Sequence, residues 1–166
     1  MRKTEEQKMA EAFADIQPII RKQGHIKQCL HPNKAECKGE IIRAHAIQNN
    51  RILSRIAENG HVTMLDGTSF LIFQDAQTKG RKVATMFTGF CSYHDKVLFQ
   101  EIEDIDFTAT QKQIFLLTYR TMAWHYHKKQ EQVKQNEIMM QQMAERGFAL
   151  KQNRENNLFL HSLDLG

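Results

Sequence analysis

Four side chains suited to a soft divalent metal fall in two clusters, Cys29 and Cys37, then Cys91 and His94. The second cluster is Cys-x2-His, a spacing at which a turn entering a helix can present both side chains to one ion. The first is Cys-x7-Cys, wider than a usual knuckle, and it encloses His31 as a rival ligand. One tetrahedral Cys3His zinc site would use all three cysteines of the chain and remove the oddness of their number. The competing reading is three separately buried thiols, since free cysteine is among the most buried residue types. Cys91 with His94 as a nucleophile and its base lacks an orienting third group. His125 and His127 flank Tyr126, so on a helix they point to nearly opposite sides and read as solvated. Tyr93, Phe90 and Trp124 read as core rather than as platforms for bases.

Lys38, Arg43, Arg51, Arg55, Arg81, Lys82 and Lys96 surround these clusters in sequence and could neutralise phosphates. The net charge is +4. It divides into +4 over residues 1–60, −3 over 61–107 and +3 over 108–166. Basic flanks around an acidic middle suit a nucleic acid and a metal ion. At 166 residues, 41% hydrophobic and 25% charged, the chain is of ordinary globular make-up, which excludes wholesale disorder. Its longest apolar runs are a few residues, too short for a transmembrane helix. The N-terminus has no apolar signal core, so the expected location is cytoplasmic and no membrane contact is expected. No phosphate-cradling glycine loop, dinucleotide fingerprint or Ser-His-Asp motif is present.

The elements that must position these residues follow from periodicity. Met9, Phe13 and Ile16 predict an amphipathic helix over residues 3–16, ended by Pro18. Residues 24–39 read as irregular and 40–47 as a strand. Arg51 to Ala57 reads as a short helix with Ile52, Leu53 and Ile56 inward and Asn59-Gly60 as its stop. His61–Leu65, Phe70–Phe73 and Val83–Phe87 read as strands, separated by Asp66-Gly67 and Lys79-Gly80 turns. Ser92–Ile102 opens a helix with Val97, Leu98 and Phe99 apolar. Thr108 or Thr110 caps a long helix from about Gln111, whose buried stripe is expected at Phe115, Tyr119, Met122 and Tyr126. Beyond Lys128 that helix turns polar, as if solvated or docked on a partner helix. Gly147 interrupts it, and an Asn-rich tail ends abruptly, as in a truncated chain.

The segments Ile42-Arg43-Ala44-His45-Ala46-Ile47-Gln48, Glu58-Asn59-Gly60-His61-Val62 and Phe87 through Phe99 carry a family likeness. A cysteine pair before a strand histidine, then a Cys/His pair opening a helix, resembles the HNH (His-Me finger, ββα-metal) nucleases on a treble-clef zinc scaffold. In particular the chain looks like an uncharacterised bacterial zinc-binding branch of that group. The likeness covers about Cys29 to Ile102. It implies His45 as general base, Asp95 as a ligand of a catalytic Mg²⁺ or Mn²⁺, and Asn59 as the asparagine orienting His45, with Asn49 and Asn50 as competitors. It also implies His61 as a further ligand of that ion. Zinc would be structural, held by Cys29, Cys37, Cys91 and His94. Ala44 stands where many members carry an acidic ligand.

The expected fold is therefore α+β: a treble-clef zinc core with short antiparallel strands, between an N-terminal helix and a long C-terminal helix. The expected segments are 1–20 (helix), 21–107 (zinc-stabilised core), 108–147 (long helix) and 148–166 (tail). The leading functional expectation is a metal-dependent HNH-like endonuclease on DNA, in bacterial defence or a mobile element. Lys38, Arg43, Arg51, Arg81, Lys82 and Lys96 would contact the nucleic acid. The alternative is a non-catalytic zinc module that binds nucleic acid, a partner protein or itself through residues 111–146.

Overall fold

The computed structural model describes residues 3–64 and 77–148. The strand expected at Phe70–Phe73, the Asp66-Gly67 turn and the tail beyond 148 lie outside the described residues. The chain is α+β, with helices and two small antiparallel sheets. The described residues form two compact units, one of residues 3–25 and 133–148, the other of residues 26–64 and 77–132. Among the described residues no helix is long and apolar enough to cross a membrane.

In the first unit, α1 (Glu5–Gln23) begins with a capping box: Thr4 Oγ1 accepts from Gln7 N, and Thr4 N donates to Gln7 Oε1. Glu5 and Glu6 in the first turn and Arg21 and Lys22 in the last suit the helix dipole. The helix runs through Pro18 instead of stopping there. Proline costs one backbone hydrogen bond, but Ile16 and Ile20 on either side of it are buried together with Ala12 and Met143. That packing keeps the last turn helical. The apolar stripe is thus Ala12, Ile16 and Ile20, while Met9 and Phe13 are exposed.

The second unit holds the site. Strand β1 (Ile41–His45) pairs antiparallel with β4 (Met86–Cys91), with Ile41 opposite Cys91 and His45 opposite Met86. The register shifts between Ile42 and Ala44, so Thr88 and Gly89 together face Arg43. This bulge re-aims the strand between its Cys91 end and its His45 end. Strands β2 (His61–Met64) and β3 (Gln77–Gly80) make a separate pair. Lys79 and Gly80 therefore belong to a ladder, and the turn comes after them. Residues 81–85 form that turn, and the β4 strand begins at Met86, not at Val83.

Asn49–Leu53 is a π-helical turn running into α2 (Ser54–Ile56). It buries Leu53 but leaves Ile52 and Ile56 exposed. Asn59 and Gly60, with φ of 50° and 76°, are the two central residues of a hairpin turn closed by reciprocal Glu58–His61 backbone bonds. They do not stop a helix; positive φ at both positions is the requirement of a type I′ turn.

Helix α3 (Ser92–Asp104) and helix α4 (Gln111–Glu145) complete the unit, α4 extending beyond it. Phe90 and Phe99 meet edge to face at 5.1 Å and are fully buried with Phe87, Ile102, Leu116 and Ala123. Thr110 Oγ1 accepts from Gln113 N, capping α4. The buried face of α4 is Gln113, Leu116, Arg120, Ala123, His127 and Glu131, while Phe115, Met122 and Tyr126 are exposed. Tyr119 is half-buried, and Val97 of α3 is exposed.

Candidate functional site

Each ligand of the metal cluster is delivered by a distinct local device. Cys29 is laid beside β4 by the Leu30 N to Gly89 O bond of 2.8 Å. Cys37 follows a single 3-10 turn, Lys34–Glu36, and the chain after it turns at Gly39, whose φ of 74° favours glycine. Backbone bonds from Ser92 N to Glu40 O and from Tyr93 N to Lys38 O tie that loop to the start of α3. Cys91 ends β4 and caps α3, its sulfur accepting from His94 N. His94 lies in the first helical turn.

The result is a tight group. His94 Nδ1 stands 3.4 Å from Cys29 Sγ, 3.6 Å from Cys37 Sγ and 3.3 Å from Cys91 Sγ. All four donor atoms lie within 4.8 Å of one another. For zinc bonds of about 2.3 Å to sulfur and 2.0 Å to nitrogen, tetrahedral geometry puts N and S about 3.5 Å apart. The residues therefore fit a zinc-sized ion. Their electrostatics agree: desolvation and the thiols of Cys29 and Cys91 push Cys37 up to about 11. Desolvation acts the same way on Cys91, but the His94 and Lys38 amides and the neighbouring thiols outweigh it and hold that thiol down. Thiols crowded in this way need a shared cation to be thiolates together. His31 is not in the ligand group; its ring stacks on that of His94 at 3.8 Å.

His94 and Asp95 are consecutive in α3, about 100° apart around the helix. His94 faces the sulfurs; Asp95 faces a cleft of about 610 Å³ lined also by His45, Arg43, Gln48, Asn49, Asn50, Arg51, Lys96, Glu103, Asp104 and Arg120. His45 comes to the cleft from the end of β1. Its Nδ1 is buried and has no hydrogen-bond partner. Burial first, and then the Arg120 charge, lower its pKa below the usual 6.5, with Glu103 opposing them. Arg120 is 3% exposed and contacts both Asp95 Oδ1, at 3.2 Å, and Glu103 Oε1. Its guanidinium lies 4.6 Å from the centre of the Phe99 ring. Burial raises Asp95 above the usual carboxylate value, against the opposing pull of Arg120.

No protein-family model, curated protein or solved structure matches this chain.

Of the residues expected from sequence, the cleft gathers His45, Asp95, Arg43, Arg51 and Lys96. Asn59 and His61 lie in and beside the β2 hairpin turn and are not among the cleft's lining, whereas Asn49 and Asn50 are. His61 Nδ1 is 2.9 Å from the carbonyl of Asn59. The cysteine–histidine group is the one set of three or more His, Cys, Asp or Glu able to hold an ion among the described residues. The Asp95 and His61 pair expected for a catalytic Mg²⁺ or Mn²⁺ does not form such a set. Among the basic residues, Arg51 is engaged by the carbonyls of Asp104 and Ile105 and by Asp106. Arg81 is engaged by Asn49, and Lys38 lies over Tyr93, while Lys82 is exposed.

Two residues of the cleft have no counterpart in the sequence reading, and a third residue overturns one. Arg120 and Glu103 line the cleft, and neither is singled out from sequence. His127, read as solvated, is fully buried, its Nε2 3.1 Å from Ile26 O and its ring edge-on to Phe87. The signal that could have found both Arg120 and His127 is their seven-residue spacing, which places them on one face with Gln113, Leu116 and Ala123.

Proposed function

We propose that this chain is an HNH-like endonuclease on a treble-clef, ββα-metal core, hydrolysing DNA phosphodiester bonds with His45 as general base. The observation that carries the reading is His45 itself. It lines a cleft shared with Asp95 and with cationic side chains able to bind phosphate, and its Nδ1 is buried without a hydrogen-bond partner. The order of parts supports the same reading: Cys29 and Cys37, then β1 with His45, then β4 ending in Cys91, then α3 opening with His94 and Asp95. Zinc, when bound by the Cys3His group, supplies a rigid cross-link between these parts rather than reaction chemistry.

A neutral imidazole at pH 7 can accept a proton. In the proposed step His45 takes a proton from water as the water oxygen attacks phosphorus. The bond from phosphorus to the leaving oxygen breaks, and that oxygen takes a proton from solvent. The products are a phosphate monoester and a free hydroxyl. Asp95, held by Arg120, forms part of the cleft wall that His45 also lines. Lys96 and Arg43 neutralise flanking phosphates.

The test is nicking of supercoiled plasmid and cleavage of single-stranded DNA by zinc-loaded protein, with and without added Mg²⁺ or Mn²⁺. His45→Ala should lower the rate by about 10²- to 10⁴-fold with zinc content unchanged. Equal cutting by both proteins, or none by either on every substrate, defeats the reading. A second reading, a zinc module that binds without cutting, has one observation in its favour: Arg120 pairs Asp95 and Glu103, as in a structural ion-pair network. It predicts a salt-dependent DNA affinity with no cleavage.

A further inference from the structure

We propose that Arg120 is the cation of the cleft: its guanidinium receives the charge that builds on the phosphate, so hydrolysis needs no divalent ion beyond the structural zinc. This rests on the endonuclease reading and names how its phosphodiester is bound and activated.

Arg120 is where a mobile ion would otherwise have to be. It contacts carboxylates from both ends of α3, Asp95 in the first turn and Glu103 in the last. A dication placed beside these same carboxylates would face the guanidinium at close range, a like-charge arrangement that opposes binding. The second expected ion ligand, His61, does not line the cleft. Arg120 is also built in rather than adventitious. It is 3% exposed, lies over the Phe99 ring, and has a buried Nε with no hydrogen-bond partner.

The two carboxylates are not equivalent. The Asp95 side chain is 16% exposed and that of Glu103 is 42% exposed. Asp95 is the anchor. Glu103 is the exchangeable partner, whose place a phosphate oxygen can take, since both present planar oxygens to the guanidinium fork. Charge developing on the phosphate oxygens during water attack then meets a fixed, desolvated cation. No electron or atom is needed beyond those of the hydrolysis written above.

The experiment uses the full zinc-loaded chain in buffers freed of other divalent ions by ion-exchange resin, with zinc measured before and after. The wild type should cut DNA at an unchanged rate without Mg²⁺ or Mn²⁺, and Mn²⁺ paramagnetic resonance should find no bound ion. Arg120→Lys, which keeps the charge but not the fork, should cut about 100-fold more slowly or worse while keeping its zinc and its melting temperature. Glu103→Gln should bind a DNA duplex more tightly, read by fluorescence anisotropy, because the exchangeable competitor loses its charge. Cutting that appears only with Mg²⁺ or Mn²⁺ overturns this inference and leaves the endonuclease reading standing. So does an Arg120→Lys protein that cuts at the wild-type rate. No cutting under any condition removes both.

Discussion

In the Cys3His group every donor atom turns toward one point, with His94 Nδ1 3.3–3.6 Å from three sulfurs. In the neighbouring cleft the donors are already answered by the protein, Arg120 standing between Asp95 and Glu103. The two regions share the first turn of α3 and differ by one residue in sequence, His94 against Asp95. The difference teaches that ligand-type residues make an ion site only when nothing else neutralises them. Three thiols and an imidazole that converge in this way suit a metal; two carboxylates already paired with a buried guanidinium do not.

The largest expected effect breaks the first half of that comparison. Cys91→Ser removes one zinc ligand while leaving a hydroxyl that can still cap α3. Structural zinc contributes on the order of 10 kcal/mol to the folding of small zinc domains, more than the stability of most domains. The variant should lose zinc by elemental analysis and show no cooperative thermal transition for the core. A variant that melts like the wild type with no zinc would mean that the aromatic cluster alone holds the second unit.

Arg120→Met sharpens the second half. It keeps the packing over Phe99 but leaves Asp95, 16% exposed, without its partner. Breaking a buried pair costs about 3–5 kcal/mol, and the half-open setting of Glu103 argues for a discounted loss of about 2 kcal/mol. Urea denaturation measures it, with zinc retained throughout. If stability is unchanged, the ion pairs are not structural.

A smaller effect concerns which face of α4 is core. Leu116→Ala should cost about 2–4 kcal/mol, whereas Phe115→Ala, at an exposed position, should cost less than about 0.5 kcal/mol. Thermal melts of the two variants side by side decide the face. The reverse order would restore the stripe expected from the apolar pattern.

That face shows what was legible in the sequence and what was not. The metal group could be read directly because ligation depends on residue type, and Cys91 and His94 are close in sequence. The α3 helix and its start at Ser92 were likewise legible. The α4 stripe was displaced by one residue, about 100° around the helix. Periodicity finds the face richest in apolar residues, Phe115, Tyr119, Met122 and Tyr126. The buried face instead carries Gln113, Arg120, His127 and Glu131, whose partners lie off the helix. Gln113 reaches Asp106 O and Thr108 N; His127 reaches Ile26 O. A buried polar residue with a partner is indistinguishable by pattern from a solvated one. The run of α1 through Pro18 has the same origin, because tertiary packing at Ile16 and Ile20 outweighs a local rule.

The smallest expected effect tests whether cluster and cleft respond separately to acid. The folded-state pKa of His45 lies below 6.5, through burial and the Arg120 charge. On acidification the unfolded chain therefore takes the proton first, so this contribution to stability is whole above about 6.5 and is lost as pH falls toward the folded value. His94, lowered chiefly by burial, acts in the same direction, and a zinc ion on its Nδ1 would compete with protons as well. The two can be told apart. In His45→Asn the fall of melting temperature below pH 6.5 should be shallower than in the wild type, at equal zinc content. Histidine ring resonances give the finer reading. Arg120→Met should move the His45 titration up toward 6.5, and Glu103→Gln should move it further down, because Glu103 opposes the shift. No displacement in either variant would mean that burial alone sets His45 and that the guanidinium does not reach it.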